Sequence, residues 1–247
     1  MNQKKKSKRA LIVIPARLKS TRLKEKLLIK VKGKTILQWT YENGAKVSNT
    51  DIVVATDSEK IVEEVKSFGG KVVLTPKDIS SGTERVLYIA EKTDYPVYIN
   101  LQADEPMLSP QDIEKTISLI EEGEVVSSLC FRNNNYSDFV NINNVKVVIN
   151  KEGKALYFSR APIPFQKEEN FSFFFHHIGI YGFNSLFFKR SFPNLISNLY
   201  SIENLEQLKI LENGFSISVE VIEKESIGID TKEDLEKFNR ILEVKNG

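Results

Sequence analysis

The sequence predicts an α/β protein built around a mostly parallel, doubly wound β-sheet. Short apolar runs rich in β-branched residues, typical of strands buried on both faces, alternate with longer segments whose apolar residues recur at helical spacing. In such sheets, ligands bind where the carboxyl ends of the strands meet the loops. α/β folds of 247 residues often form one unit, so we expect a single domain over residues 10–247.

The first part of the chain contains three predicted strands separated by helices. Ala10–Ile14 is wholly apolar and ends at a proline, as expected of the first central strand. Thr35–Val47 has apolar residues at roughly helical spacing, and Ile52–Ala55 is the next strand-like run. Ser58–Phe68 predicts a helix, because its first residue suits an N-cap and two glycines follow its end. Val72–Leu74 is the third predicted strand.

The same alternation continues to about residue 122. Thr83–Glu91 predicts a helix, and Val97–Leu101 is a fourth buried strand that the polar sequence QADEP stops. Pro110–Glu122 predicts another helix, since proline suits the first helical turn. Function is therefore to be sought in the loops after the first, second and fourth strands.

From about residue 125 the pattern changes to an inserted β region, which we expect to extend over about 125–200. The turn-forming quartet NKEG separates Val145–Ile149 from Ala155–Phe158, which is typical of a β-hairpin. The aromatic stretch Phe171–Phe175 leads into a predicted strand, HHIGIYGF, and polar Asn133–Asn144 predicts a mobile loop. The remaining predicted elements are a helix over Ile202–Asn213, a strand over Ile217–Ile222 and a helix over Thr231–Val244.

Composition and charge exclude several classes of protein. With 41% hydrophobic and 28% charged residues, the chain is neither disordered, nor collagen-like, nor a coiled coil. Five of the 35 basic residues lie within residues 1–9, which predicts a disordered basic tail; the rest of the chain is slightly acidic and unsuited to nucleic acid. The lone Cys130 excludes an intrachain disulfide and a cysteine-clustered zinc site. Because no apolar run is long enough to cross a membrane, we expect a cytoplasmic protein without membrane insertion.

A cluster of cations follows the first predicted strand. The segment PARLKSTRLKEK contains Arg17, Lys19, Arg22, Lys24 and Lys26, opposed only by Glu25. At the ligand edge of a sheet, guanidinium groups and an ammonium can bind a triphosphate without a glycine cradle. From charge alone, an ordinary solvated loop is the alternative. Gly33-Lys34-Thr35 mimics the end of a P-loop, but the preceding strand and the other glycine are missing, so Gly33 is expected to make a turn.

Two acidic residues follow apolar runs at the same predicted edge. Asp104 comes just after Val97–Leu101, and Asp230 ends another apolar stretch. Magnesium is commonly held by one or two carboxylates together with phosphate oxygens. Each aspartate has an alternative role: Asp104 can form a turn before a proline, and Asp230 can form a turn before a helix that Thr231 and Asp234 open as a capping box.

Together these residues resemble the 3-deoxy-manno-octulosonate cytidylyltransferases, the CMP-Kdo synthetases. The resemblance covers nearly the whole chain after the tail, in the family's order: IPARLKSTRL, VVATD, SSGTERV, NLQADEP, VKVVIN with ALYFSRAPIPF, HHIGIYGF, ENLEQLKILENG and GIDTKEDL. It implies a nucleotide-diphospho-sugar transferase-like three-layer fold with a mostly parallel central sheet and an inserted β-hairpin region. It also implies that CTP and Kdo, an acidic eight-carbon sugar, give CMP-Kdo and pyrophosphate with Mg²⁺, for lipopolysaccharide biosynthesis. Together with the inserted hairpin and the aromatic stretch Phe171–Phe175, which could not easily stay solvated, it suggests a homodimer.

The resemblance also implies the residues that bind nucleotide and metal. The nucleotide-binding residues are expected to be Arg17, Arg22 and Lys26 on the triphosphate, Ser81, Gly82 and Thr83 on cytosine, and Gln102 on the nucleoside. Asp104 and Asp230 match the magnesium-binding aspartates. With Lys26, they are the expected catalytic residues.

For the sugar, the resemblance implies a pocket lined by Arg160, His177, Tyr181, Glu206 and Gln207. A guanidinium such as that of Arg160 suits the sugar carboxylate, because its fork can bind two oxygens. The alternatives are structural. His177 and Tyr181 can be core or strand residues, and Glu206 or Gln207 can lie on a solvated helix face.

The chain departs from the family's pattern in two places. Residues 24–28 lack the two prolines and the glycine that the family usually has there, and the loss of the prolines changes the rigidity of the loop. Ala103 replaces the usual glycine before Asp104, which places a Cβ where the backbone approaches nucleotide. Two alternatives follow: a cytidylyltransferase for a related acidic sugar, such as a modified Kdo or a sialic-type acid, and a catalytically silent nucleotide-binding protein.

Overall fold

The computed structural model describes residues 8–18, 23–226 and 228–244 of the chain. Its mixed α/β fold divides into two compact units, Met1–Glu114 with Ile227–Gly247, and Lys115–Ser226. In the described residues the strands are, in order, β1 (Ala10–Ala16), β2 (Lys30–Val31), β3 (Lys34–Thr35), β4 (Thr50–Thr56), β5 (Val72–Leu74), β6 (Val97–Leu101), β7 (Val126–Asn133), β8 (Lys146–Ile149), β9 (Ala155–Ser159), β10 (Phe174–Asn184) and β11 (Ser218–Ile222). The α-helices are α1 (Ile36–Ala45), α2 (Glu59–Ser67), α3 (Gly82–Ala90), α4 (Pro110–Glu121), α5 (Tyr136–Val140), α6 (Ser185–Arg190), α7 (Asn198–Glu203), α8 (Leu208–Glu212) and α9 (Lys232–Val244).

The main sheet of the first unit is parallel. β1 lies between β4 and β6 and is parallel to both, with Ile12 opposite Ile52 on one side and Ile99 on the other. β5 pairs with β4, also in parallel. Every residue of β1 is buried, which explains its wholly apolar sequence. The loops after β1, β4 and β6 therefore leave the sheet at one edge, and the predicted mostly parallel central sheet is confirmed.

The turns and caps of the first unit agree with most of the local predictions. Gly33 has a φ of 83° and makes the predicted turn, between β2 and β3. Asp234 and Thr231 form the predicted capping box at the start of α9. Ser58 occupies the predicted N-cap position of α2, but its side chain makes no capping hydrogen bond, and its backbone N–H donates to Thr56 Oγ1.

The second unit is mostly antiparallel. β7 pairs with β10 in the antiparallel sense and with β11 in the parallel sense, while β8 and β9 form the predicted hairpin. A bulge interrupts β10, so that Ile178 lies opposite Leu129 but Tyr181 lies opposite Ser128. Because the bulge inserts two residues, His177 and Tyr181 stay on the face of the sheet that Ser128 occupies.

Two predictions for the second unit are wrong. The predicted helix Ile202–Asn213 is two short helices, α7 and α8, because Asn204 takes a left-handed conformation with a φ of 54° and ends α7. The predicted loop Asn133–Asn144 contains α5. The side chain of Asn135 caps the N-terminus of this helix. Phe139 of α5 is only 1% exposed, so an aromatic anchor stabilises a helical turn within polar sequence. No helix among the described residues is long and apolar enough to span a membrane.

Candidate active site

A cavity of about 190 Å³ lies at the carboxyl edge of the parallel sheet. It is lined by Pro15, Arg17, Lys26, Leu27, Gly82, Gln102, Ala103 and Asp104. Most of these residues follow β1 or β6, as the edge rule predicts. The structure therefore brings together several residues that the sequence assigned to nucleotide binding. Ala103, which replaces the family's glycine, is 4% exposed here.

Asp104 and Asp230 converge on the ammonium group of Lys26. Lys26 Nζ donates to Asp230 Oδ1 at 2.5 Å and also to Asp104 Oδ2. The Lys26 side chain is 13% exposed, against 24% for Asp104 and 43% for Asp230. Burial opposes the charge on Lys26, but the charges and hydrogen bonds of the two aspartates outweigh burial and raise its pKa above the ordinary 10.5. Lys26 thus stays an ammonium ion that separates two carboxylates.

The capping box at the start of α9 is formed by Thr231 and Asp234, as predicted, and the carboxylate of Asp230 points elsewhere. Asp234 Oδ2 accepts from the backbone N–H of Asp230 at 3.0 Å, while the carboxylate of Asp230 contacts Lys26. The backbone N–H of Ile229 donates to the carbonyl oxygen of Asp104 at 2.9 Å, which ties the two aspartate segments together. Both carboxylates are therefore held at the ammonium group of Lys26.

An apolar cluster brings the Lys26 segment to the Asp230 segment. It consists of Leu23, Val31, Ile36, Ile229, Phe238 and Leu242. Leu23 and Val31 flank Lys26 in sequence, whereas Ile229 and Phe238 flank Asp230. Burying each large apolar side chain contributes about 1.5–3 kcal/mol, whereas a partly exposed ion pair contributes about 0–1 kcal/mol. Packing therefore positions the charged groups.

Arg17 is the predicted phosphate-binding guanidinium that the structure describes. It lines the cavity, and its Nη2 donates to the carbonyl oxygen of Ile79 at 2.6 Å. Arg17 also borders a larger cavity of about 750 Å³, which residues following β4 and β5 line. Arg22, the other predicted guanidinium, lies outside the described residues, so its role stays a prediction.

Arg85 on α3 is a fully buried cation that was not predicted from the sequence. Its guanidinium donates to Asp57 Oδ2 at 3.1 Å, to the carbonyl oxygen of Pro76 at 3.4 Å and to a threonine hydroxyl. Burial lowers the pKa of Arg85; the charge of Asp57 opposes this shift and that of Arg17 adds to it. Arg85 thus anchors the loops after β4 and β5 beside Arg17. Its signal in the sequence was a cation on an otherwise apolar helix face in SSGTERV.

Asn100 is a second missed residue, and it links two predicted nucleotide contacts. It is fully buried in β6, where its Nδ2 donates to Thr83 Oγ1 at 3.2 Å. Gln102 Nε2 donates to Asn100 Oδ1, also at 3.2 Å. Ser81, in contrast, caps α3 by accepting from the backbone N–H of Glu84 at 3.2 Å, so its hydroxyl has a structural role. An asparagine inside an otherwise apolar strand was the available signal.

In the second unit, the predicted sugar residues His177 and Tyr181 lie side by side, with their ring centroids 5.4 Å apart. His177 Nε2 is 2.9 Å from Ser128 Oγ. Burial, followed by the charge of His176, lowers the pKa of His177 to about 3. Burial, followed by the charge of Glu206, raises the pKa of Tyr181. Both side chains are therefore neutral at physiological pH, and Glu206 lies close enough to influence Tyr181.

Arg160 is held at the end of β9 by contacts with backbone carbonyls. Its Nε donates to the carbonyl oxygen of Glu203 at 3.2 Å, and its Nη1 donates to that of Ile142 at 3.1 Å. The buried ammonium of Lys146 donates to the carbonyl oxygen of Arg160 at 2.6 Å. Gln207 is 5% exposed, so it does not lie on a solvated helix face.

The chain is similar to known cytidylyltransferases. A family model described as cytidylyltransferase matches residues 11–227. The 3-deoxy-manno-octulosonate cytidylyltransferase of Francisella tularensis subsp. novicida (strain U112) is 45% identical over 245 residues, which cover 94% of this chain and 98% of that protein. The protein of the same name from Fusobacterium nucleatum subsp. nucleatum is 38% identical over 237 residues, covering 95% and 97%.

Solved structures point the same way. A structure of CMP:2-keto-3-deoxy-manno-octonic acid synthetase complexed with CTP matches with a TM-score of 0.88 and 34% identity, covering 96% of this chain and 99% of that one. The 4-diphosphocytidyl-2C-methyl-D-erythritol synthase of Anaerococcus prevotii DSM 20548 matches with a TM-score of 0.61 at 14% identity, which shows a shared fold alone. By the matched family model and the extent of these identities, the chain belongs to the cytidylyltransferases and, among them, to the 3-deoxy-manno-octulosonate cytidylyltransferase family.

Proposed function

We propose that this chain transfers CMP from CTP to the anomeric hydroxyl of 3-deoxy-D-manno-octulosonic acid (Kdo) and releases pyrophosphate, in the cytoplasm, for lipopolysaccharide biosynthesis. The observation that carries the proposal is the convergence of Asp104, Asp230 and Lys26 beside a cavity at the sheet's ligand edge. The names of the relatives support Kdo as the acceptor. The structure solved with CTP supports CTP as the donor.

In the proposed reaction, the sugar hydroxyl attacks the α-phosphorus in line with the departing pyrophosphate. Such transfers depend mainly on positioning and on neutralising charge. Arg17 and Lys26 offset the charge of the pyrophosphate, and Gln102, oriented by Asn100, contacts the nucleoside. Arg160 binds the sugar carboxylate through its guanidinium fork. These side chains hold the two substrates. As the sugar oxygen bonds to the α-phosphorus, the bond to pyrophosphate breaks and the proton of the hydroxyl passes to water.

Mg²⁺ is the cofactor that fits Asp104 and Asp230. The two carboxylates already share one cation, the ammonium of Lys26, so they are arranged around a single cationic centre. Among the described residues, no group of three or more His, Cys, Asp or Glu side chains could hold a metal by itself. That agrees with magnesium, which takes one or two carboxylates and completes its shell with phosphate oxygens and water. When bound, Mg²⁺ would polarise the α-phosphate and the attacking hydroxyl.

With Kdo and Mg²⁺, CTP is expected to support pyrophosphate release at least about a hundredfold faster than UTP or ATP. A site built to hydrogen-bond cytosine leaves buried polar groups unpaired when another base enters. The measurement is an end-point assay of pyrophosphate with each nucleotide. Equal rates with all three nucleotides would contradict cytidylyl specificity. A panel of ulosonic acids separates the alternatives. Faster turnover of a sialic-type acid than of Kdo would identify that acid as the acceptor, and no release of pyrophosphate with any sugar would indicate a catalytically silent protein.

Arg160→Ala is expected to raise the KM for Kdo by roughly 10- to 100-fold, since a hydrogen bond to a charged group contributes about 1.5–3 kcal/mol. The KM for CTP should stay within about twofold of the wild-type value. Arg132→Ala, which removes an exposed guanidinium of the same unit, is the control. Thermal unfolding shows whether the loss of the contacts between the Arg160 guanidinium and backbone carbonyls destabilises the fold. A selective rise in the KM for CTP would reassign Arg160.

We also propose a homodimer, although part of the sequence argument for it is wrong. Phe174 is buried, and the rings of Phe171 and Phe174 both pack on Phe139, so the aromatic stretch is not an exposed surface. Instead, the exposed apolar side chains of the second unit support the proposal, with Leu156 of the hairpin 59% exposed and Phe165 85% exposed.

Light scattering at micromolar concentration is expected to show the mass of a dimer. Phe165→Ser should weaken the dimer, because it removes an exposed aromatic ring. Leu74→Ser, at an exposed leucine of the first unit, is the control. A monomer for the wild-type chain at every concentration would refute the proposal.

A further inference from the structure

Ser128 lies fully buried beneath the bulge in β10. The carbonyl oxygen of Ile180, within the bulge, lies 2.7 Å from Ser128 Oγ, and that of Ile178 lies 3.5 Å from it. On its other side, Ser128 Oγ lies 2.9 Å from Nε2 of His177. One hydroxyl therefore joins a backbone carbonyl to the imidazole of a predicted sugar-binding residue.

The positions of the protons follow from the acceptors around Ser128. A serine hydroxyl has one proton, and a carbonyl oxygen has none. If Ser128 donated to His177, its oxygen would face the Ile180 carbonyl at 2.7 Å with no proton between them. Ser128 therefore donates to Ile180, which leaves its lone pairs to accept. His177 must then carry a proton on Nε2 and donate it to Ser128.

The other ring nitrogen of His177 consequently carries a lone pair. Burial keeps the imidazole neutral, with a pKa lowered to about 3, so one nitrogen is protonated and the other is not. With Nε2 protonated, Nδ1 is a hydrogen-bond acceptor. In the part of the chain that the structure describes, Nδ1 has no hydrogen-bond partner. The His177 residue is 8% exposed to solvent. The site thus offers an acceptor at Nδ1.

We propose that Ser128 is a positioning residue that holds His177 in the Nε2–H tautomer, so that Nδ1 accepts a hydrogen bond from a hydroxyl group of the sugar. This inference rests on the proposed function, and it divides the recognition of the sugar between two residues. A carboxylate has no proton to donate to Nδ1, whereas a hydroxyl does. His177 therefore selects a hydroxyl, and the carboxylate is left to Arg160.

The tautomer can be read by nitrogen NMR on chain labelled with ¹⁵N-histidine, without any turnover. The sequence has two histidines, and a His176→Gln variant assigns the signals of His177. In the wild-type protein we expect a protonated Nε2 and an unprotonated Nδ1. In Ser128→Ala, His177 loses its acceptor at Nε2, so signals of the Nδ1–H tautomer should appear.

A kinetic comparison completes the test. Ser128→Ala is expected to raise the KM for Kdo roughly five- to tenfold, the range for one hydrogen bond, and to leave the KM for CTP within about twofold. Ser128→Thr, which keeps the hydroxyl, should restore both the tautomer and the KM. Ser127→Ala is the matched control, because Ser127 is equally buried and donates to a carbonyl oxygen, that of Thr116, at the same 2.7 Å.

Three outcomes would overturn the inference: a wild-type His177 protonated at Nδ1, an unchanged tautomer or KM in Ser128→Ala, or an equal rise in the KM for Kdo in Ser127→Ala. Failure of the proposed function is a separate result. If the wild-type chain releases no pyrophosphate with Kdo, that function fails. The NMR experiment then tests by itself whether Nδ1 of His177 accepts a hydrogen bond from a sugar hydroxyl. Addition of Kdo must shift the Nδ1 signal of His177 in the wild type, and an unmoved signal refutes this hydrogen bond.

Discussion

Asp104→Asn and Asp230→Asn are each expected to lower turnover by about a hundredfold or more, which is roughly 3 kcal/mol of activation barrier. Asparagine keeps the size and the hydrogen bonding of aspartate but removes its charge. Each variant would leave a single carboxylate at the point where two now share one cation. Since both residues act at one centre, the double variant should lose far less than the product of the two single losses. The measurement is turnover across a magnesium titration.

Asp234→Asn provides the matched control for this pair. Asp234 lies in the same segment, but its carboxylate completes the capping box of α9 by accepting from the backbone N–H groups of Asp230 and Thr231, and the amide oxygen of asparagine can accept the same bonds. We therefore expect nearly normal turnover and an unchanged melting temperature for this variant. If Asp230→Asn behaved in the same way, Asp230 would leave the site and Asp104 would need another partner.

The sequence could predict most of the first unit because its strands are buried on both faces. Such strands are continuous apolar runs, and all residues of β1 and β6 are buried. The second unit was harder to predict. Its elements depend on contacts between distant residues: Asn204 takes a left-handed conformation between α7 and α8, and Phe139 anchors α5 in polar sequence. Neither feature has a periodic signal that a single sequence displays.

The candidate site, too, could be predicted from the sequence only in part. Asp104 and Asp230 could be predicted, because carboxylates that follow apolar runs collect at one edge of a parallel sheet. Their contact with Lys26 could not, because it depends on an apolar cluster of residues far apart in sequence. The contacts of Arg85 could not be predicted either, since only its burial shows that this cation must have partners inside the protein.

Lys26→Met is the second variant expected to have a large effect, with turnover lowered by about a hundredfold or more. Methionine keeps the apolar stem but removes the charge that is proposed to offset the pyrophosphate. It also leaves Asp104 and Asp230 facing each other without their shared counter-ion, so the melting temperature without metal should fall. Magnesium would then supply the missing charge. It should raise the melting temperature of the variant more than that of the wild type, in which Lys26 competes for the same carboxylates.

Lys30→Met is the control for this variant, because Lys30 is an exposed lysine four positions further along the same segment. Its turnover and its response to magnesium should match those of the wild type. Variation of pH cannot replace the substitution. The two aspartates raise the pKa of Lys26, so its stabilising contribution is complete below the ordinary value of 10.5 and is lost only as the pH rises through the raised value. If Lys26→Met lost turnover but gained no extra stabilisation from magnesium, Lys26 would act on the triphosphate alone. The hypothesis that Lys26 and magnesium share the carboxylates of Asp104 and Asp230 would then be wrong.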